Sequence, residues 1–162
     1  MEKIIEVARY IKVKFEEIYG KEIDEIRLQK LVYFSQRESI LYTGKVLFLD
    51  AMKAWRYGPV SIKVRKEYRN MVRKKVNIKT FNKYLINNVI QKYGHYSAGR
   101  LINLTHREKA WKYSRKNLSK DDRGFQNIHI SLIFDEKERV YDTYWDMYCD
   151  EFKDFIGDIY DR

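Results

Sequence analysis

Three histidines, one cysteine and a few paired carboxylates are the side chains in this chain that catalysis or a metal site would draw on. His95, His106 and His129 are scattered, without the close spacing of a ligand set. Cys149 has no second thiol to join it, so no metal is expected. A general base needs a positioned partner, and neither His95, beside Gly94 in a turn, nor His106, at a helix start, has one in the sequence. Asp146, Asp150 and Glu151 surround Cys149 and would raise its thiol pKa, away from the nucleophilic range. The pairs Glu16-Glu17 and Asp121-Asp122 fall on polar stretches. There is no G-x-x-x-x-G-K phosphate loop and no G-x-G-x-x-G, so no nucleotide cofactor is expected. The expectation is a protein without catalytic residues, cofactor or metal, and therefore not an enzyme.

Binding is better served. Lys63, Arg65, Lys66, Arg69 and Arg73, with Lys74 and Lys75, stand against Glu67 alone in residues 61–75. Clustered cations of this kind neutralise phosphates, which makes this stretch the candidate nucleic-acid contact, although a solvated helix face has the same composition. Trp55, Arg56 and Tyr57 precede Gly58-Pro59. Aromatic and arginine side chains on a fixed turn are typical anchors of protein interfaces, and these three are candidate partner contacts. The competing reading makes Trp55 a plug of the core. Tyr144, Trp145 and Tyr148 join them as candidate partner contacts on an acidic helix expected over 139–160. That helix either covers the basic body or presents its aromatic stripe to a partner.

The elements that must position these residues read as mainly α: a single compact helical domain of about seven helices. Ile4, Ala8, Ile11, Phe15 and Ile18 follow the helical period over 2–19, with Gly20 as a left-handed cap. Asp24 is the expected N-cap of a central helix running to Thr43, closed by Gly44. Its inward stripe is Leu28, Leu31, Val32, Ser35, Ser39 and Tyr42. The period is then lost, and Val46–Leu49 with Met52–Tyr57 predicts a small two-stranded hairpin near residues 46–57, punctuated by Gly58-Pro59. Ser61 caps a predicted helix through Lys75 with Val64, Tyr68, Met71 and Val72 inward. Thr80 caps one to Tyr93, and Ser97 starts a short helix. Thr105-His106-Arg107-Glu108 has the form of a capping box opening a helix that buries Trp111. A polar loop spans 117–127, and 128–134 fits a strand or a helix start equally.

The 162 residues suit one domain, large enough to fold without a disulfide. The net charge of +10 is unevenly spread. Residues 1–134 hold 29 Lys/Arg against 13 Asp/Glu, and residues 135–162 hold 4 against 10. A basic body with an acidic end favours self-association or partners of matching sign. Nothing at Met1-Glu2-Lys3-Ile4 has the form of a signal peptide, and no membrane span is evident. A cytoplasmic protein is the expectation.

Three segments carry a resemblance: Leu28-Gln29-Lys30-Leu31-Val32-Tyr33-Phe34, Ala54-Trp55-Arg56-Tyr57-Gly58-Pro59-Val60, and Leu104-Thr105-His106-Arg107-Glu108 with Trp111. In this order they resemble the signatures of the Panacea domain, the SocA-like antitoxin family also met in phage-associated proteins. The resemblance runs over residues 1–134 and leaves the acidic end at 135–162 as a helix packed on or extending the same domain. It implies an antitoxin that neutralises a co-encoded protein toxin by direct binding. It also implies, for at least one branch, delivery of the toxin to a cytosolic protease. It brings no catalytic residues. The alternative is a phage or mobile-element regulator that binds nucleic acid through residues 61–75.

Overall fold

The computed structural model describes residues 1–135. The helix expected over 139–160, with Tyr144, Trp145 and Tyr148, lies outside the described residues. The architecture is mainly helical with one two-stranded antiparallel sheet. Six α-helices occur among the described residues: α1 (Ile4–Tyr19), α2 (Glu25–Thr43), α3 (Ile62–Glu67), α4 (Thr80–Tyr93), α5 (Ala98–Arg107) and α6 (Lys109–Ser114).

The caps read from the sequence set the first two helices. Asp24 accepts from the Arg27 N–H at 2.9 Å, and α1 and α2 each end on a glycine in the left-handed region, Gly20 and Gly44. Helix α2 is the centre of the molecule, packed against α1, α4, α5 and the hairpin. It differs from the expected stripe, because every residue from Leu28 to Ile40 is buried. Seven of these thirteen are polar or charged, Gln29, Lys30, Ser35, Gln36, Arg37, Glu38 and Ser39, so a helix sunk this deep must satisfy hydrogen-bonding groups internally.

Gln36 and Gln29, seven residues apart, do so by holding irregular backbone. Gln36 accepts from the Leu47 and Phe48 N–H groups at 2.7 and 3.1 Å and donates to the Phe48 carbonyl at 2.8 Å. Gln29 accepts from Ser61 N–H at 2.9 Å and donates to the Ser61 carbonyl at 3.1 Å. An amide side chain thus stands in for the neighbouring strand that each segment lacks. Val46–Leu49, expected as a strand, is not one: its Leu47 and Phe48 N–H groups go to Gln36 rather than to a neighbouring strand.

The hairpin exists with a shifted register. Strand β1 (Lys53–Trp55) pairs with β2 (Gly58–Val60), matching Lys53 to Val60 and Trp55 to Gly58, around a turn at Arg56-Tyr57. Gly58-Pro59 therefore lies inside the second strand rather than ending the first. The outer edge of β1 is covered by residues 123–128: Ala54 N–H donates to the Gln126 carbonyl, Arg56 N–H to Arg123, and Ile128 N–H to Met52.

Three further expectations are corrected. The basic stretch 61–75 is not one helix. Ser61 caps α3 as expected, accepting from Val64 N–H at 3.2 Å, but α3 stops at Glu67 and continues as a 3-10 turn over Tyr68–Asn70 and then extended chain. Met71 and Ile78 are buried from that extended segment, whereas Val72, expected inward, is 64% exposed. Carboxylates on α1 and just before it hold it: Glu6 accepts from Asn77 N–H, Glu2, preceding the helix, from Lys79 N–H, and Glu17 pairs with Arg73. Like charges four apart, such as Arg65 with Arg69 and Arg69 with Arg73, also disfavour a continued helix. The capping box is likewise absent. Thr105 belongs to the last turn of α5, where its hydroxyl donates to the Ile102 carbonyl at 2.9 Å, and Lys79 rather than Thr80 is the N-cap of α4. Residues 128–134, left between strand and helix, follow an isolated bridge of Asn127 to Lys53 and enter a 3-10 helix over Ile130–Asp135.

Candidate functional site

The three segments singled out in the sequence meet at Gly58. Its φ is +97°, a value that suits glycine and strains any residue with a Cβ. A Cβ there would lie 2.5 Å from Thr105 Oγ1, 2.7 Å from Lys30 Cε and 3.1 Å from Lys30 Nζ. Lys30 comes from the first segment, Gly58 from the second and Thr105 from the third. Lys30 Nζ donates to the Pro59 carbonyl at 3.1 Å, fastening β2 to the central helix.

The same hairpin is held from behind by α6. Trp111 Nε1 donates to the Trp55 carbonyl at 2.9 Å, and the His106 ring stacks on Trp111 with centroids 4.0 Å apart. Burial pushes the His106 pKa below its ordinary value, against a hydrogen bond to the Arg56 backbone that raises it. The His106 ring is thus packed behind the turn and supports it. Glu108 closes the third segment by pairing with the buried Arg37 at 2.8 Å and accepting from the Tyr33 hydroxyl at 3.3 Å.

Sequence reasoning missed Arg115. This buried guanidinium donates to four carbonyls: Ala54 at 2.7 Å, Asp122 at 2.6 Å, Arg123 at 3.1 Å and Ser119 at 3.2 Å. It welds β1 to the loop beside it. An arginine near the end of a short basic helix carries no signal of such a role, because its acceptors are backbone atoms.

In front of the hairpin lies a concave site of about 440 Å³. Its walls are Ile26, Trp55, Tyr57 and Val60, its rim carries Arg56, Arg65 and Arg123, and Lys30 and Gln29 lie on the α2 side. Glu25 and Asp121 also line it, paired with Arg65 at 3.2 Å and Arg56 at 3.1 Å. The guanidiniums of Arg65 and Arg123 stand 5.1 and 4.3 Å from the centroid of the Trp55 ring, and that of Arg56 is 5.1 Å from the Tyr57 ring. Burial pushes the Lys30 pKa down to about 7, with Glu25 opposing the shift. A strongly shifted group lining a cleft marks a functional-site candidate. The sequence reading passed over Lys30 because a lysine within an apolar helix segment looks like one that reaches solvent.

Of the expected partner contacts, the structure brings Trp55, Arg56 and Tyr57 together around this concavity. Tyr57 is 57% exposed and Trp55 half-buried, so Trp55 divides itself between core and surface. The expected nucleic-acid contacts are all exposed but are not gathered on one helix: Lys63, Arg65 and Lys66 are on α3, Arg69 on the 3-10 turn and Arg73 on the extended chain. Lys63, Arg65 and Arg73 pair with Asp50, Glu25 and Glu17.

Residues 28–112, more than half of the chain, match the family model described as antitoxin SocA-like, Panacea domain. The chain belongs to this family. The matched region contains α2 from its first buried residue, the hairpin, and α6 as far as Lys112, which are the parts that converge on Gly58. No curated protein and no solved structure matches the chain. For this SocA-like chain, among the described residues, no helix is long and apolar enough to cross a membrane and no group of three or more His, Cys, Asp or Glu is placed to hold a metal ion.

Proposed function

We propose that this protein is the antitoxin of a toxin–antitoxin pair and neutralises a co-encoded protein toxin by direct binding, without catalysis. The observation that carries the reading is the convergence of the family's three segments on a hairpin whose tip, Arg56-Tyr57, is exposed beside a concave site. The buried parts of those segments spend their polar groups on backbone and on each other, which builds a rigid platform. The exposed parts are an arginine and a tyrosine, residue types that carry much of the energy of protein interfaces. A rigid turn binds with little ordering cost, since its backbone is already held at Gly58, Trp55 and Arg56. A cytosolic protease as second partner, and residence in a phage or prophage, are further expectations from the family resemblance.

The test is co-expression with each product of the adjacent genes, reading growth and co-purification. A neighbour that is toxic alone, and harmless and co-eluting with this protein, supports the proposal. The absence of any such neighbour removes it. The nucleic-acid reading keeps two of its five cations, Lys66 and Arg69, without an ion pair among the described residues. Binding to nucleic acid that falls steeply with salt, and that weakens in Lys66→Gln and Arg69→Gln, would put it first.

A further inference from the structure

We propose that the concave site in front of the hairpin receives an acidic side chain of the protein partner, seating its carboxylate among Arg123, Arg65 and the Lys30 amine and its methylenes against Trp55 and Val60. This deepens the antitoxin reading and rests on it for the identity of the partner.

Size and chemistry both point to a peptide anchor. A volume of about 440 Å³ holds one or two side chains. Four cations line it against the two carboxylates of Glu25 and Asp121, so the balance favours an anion. Those two carboxylates also select its kind. A singly charged carboxylate on an apolar stem fits the Trp55, Val60 and Ile26 wall, while a doubly charged phosphate meets more repulsion and gains nothing from that wall. Two groups are left short of partners. Trp55 Nε1 is covered and has no acceptor, and Arg123 has no ion pair, among the described residues. A carboxylate supplies acceptors for such donors. Lys30, nearly without solvent contact, adds to them: its amine donates to the Pro59 carbonyl and has no ion pair among the described residues, with only the nearby charge of Glu25 opposing the cost of its burial.

The charged and titratable groups around Lys30 are Glu25 on α2, Arg65 on α3, Arg56 at the turn, His106 on α5, and Asp121 and Arg123 in the loop. Burial lowers the His106 pKa and brings that of Lys30 down to about 7, inside the range from pH 6 to pH 8.5. An entering carboxylate favours the ammonium, and binding is stronger at the lower pH.

The test needs no toxin. The full chain, labelled with nitrogen-15, is titrated with a capped hexaglutamate peptide while the indole N–H signals are followed, with Trp55→Phe assigning the Trp55 signal. The Trp55 signal should shift and saturate. Arg123→Gln, an exposed change, should weaken binding about fivefold or more, and Arg65→Gln should act in the same direction. Raising the pH from 6 to 8.5 should weaken binding to the wild-type chain, and a folded Lys30→Met variant should lose that dependence. The absence of a shift, an equal shift with hexaglutamine, or inorganic phosphate bound as tightly as the peptide would overturn the proposal. Peptide binding without any toxic neighbour gene would leave this site standing and remove the antitoxin reading. A cognate toxin together with a silent Trp55 signal would do the reverse.

Discussion

At the scale of single residues, Gly58 and Lys30 carry the most weight. Two conditions meet at Gly58, a left-handed φ and a Cβ position already filled by Thr105 and Lys30. Gly20 has a left-handed φ but open space around it. Gly20→Ala should therefore cost about 1 kcal/mol, and Gly58→Ala about 3 kcal/mol or more, since strain and steric displacement add. Urea denaturation of both variants reads the difference. For Lys30 the sign follows from linkage. An unfolded lysine titrates near ~10.4, and the folded one near about 7. Below pH 7 both states hold the proton, and the folded state bears the full cost of a buried ammonium. Above it the unfolded chain holds a proton the folded chain has shed, so stability rises with pH until the unfolded lysine also titrates. Relative to Lys30→Met, the wild-type chain should gain about 2 kcal/mol between pH 7 and pH 9. Denaturant midpoints of both proteins at the two pH values measure it.

At the scale of elements, buried polar contacts decide which segments keep regular structure. Arg37 and Glu108 join α2 to the start of α6 through an ion pair with side chains 5% and 12% exposed. Removing one partner leaves a charge stranded, and Glu108→Ala should cost about 3–5 kcal/mol by urea denaturation. The double variant Arg37→Met/Glu108→Leu should recover much of that loss. Gln36→Leu should free the Leu47 and Phe48 amides, speeding their hydrogen exchange relative to amides of α1. The same contacts explain what was legible in the sequence. Helices α1, α2 and α5 were readable because Asp24, Ser97, Gly20 and Gly44 act locally, through atoms within a turn or two of the boundary. Helix α3 was over-extended because its end is set from afar, by burial of Met71 and Ile78 and by the carboxylates of α1. The hairpin's register was hidden because a Gly-Pro pair reads as a break. Here Pro59 sits opposite Ala54 and offers its carbonyl to Lys30 instead of an N–H to a ladder. The segments of the site were visible as residue types, but their meeting point was not. Lys30, Gly58 and Thr105 are brought together by packing rather than by spacing.

At the scale of the whole molecule, the described residues form a basic body in which three converging segments, all within the family match, support the exposed turn at Arg56-Tyr57. The interior of that support is fixed by hydrogen bonds to backbone, whereas Arg56 and Tyr57 are exposed at its tip. On the antitoxin proposal, exchange of those two residues should change toxin recognition before it changes stability. The most direct measurement is calorimetric titration of the purified cognate toxin with the wild-type chain and with Arg56→Glu/Tyr57→Ala, after circular dichroism has shown the variant folded. The account predicts a variant that folds as the wild type does and binds at least about tenfold more weakly. A folded variant that binds the toxin with unchanged affinity would contradict it.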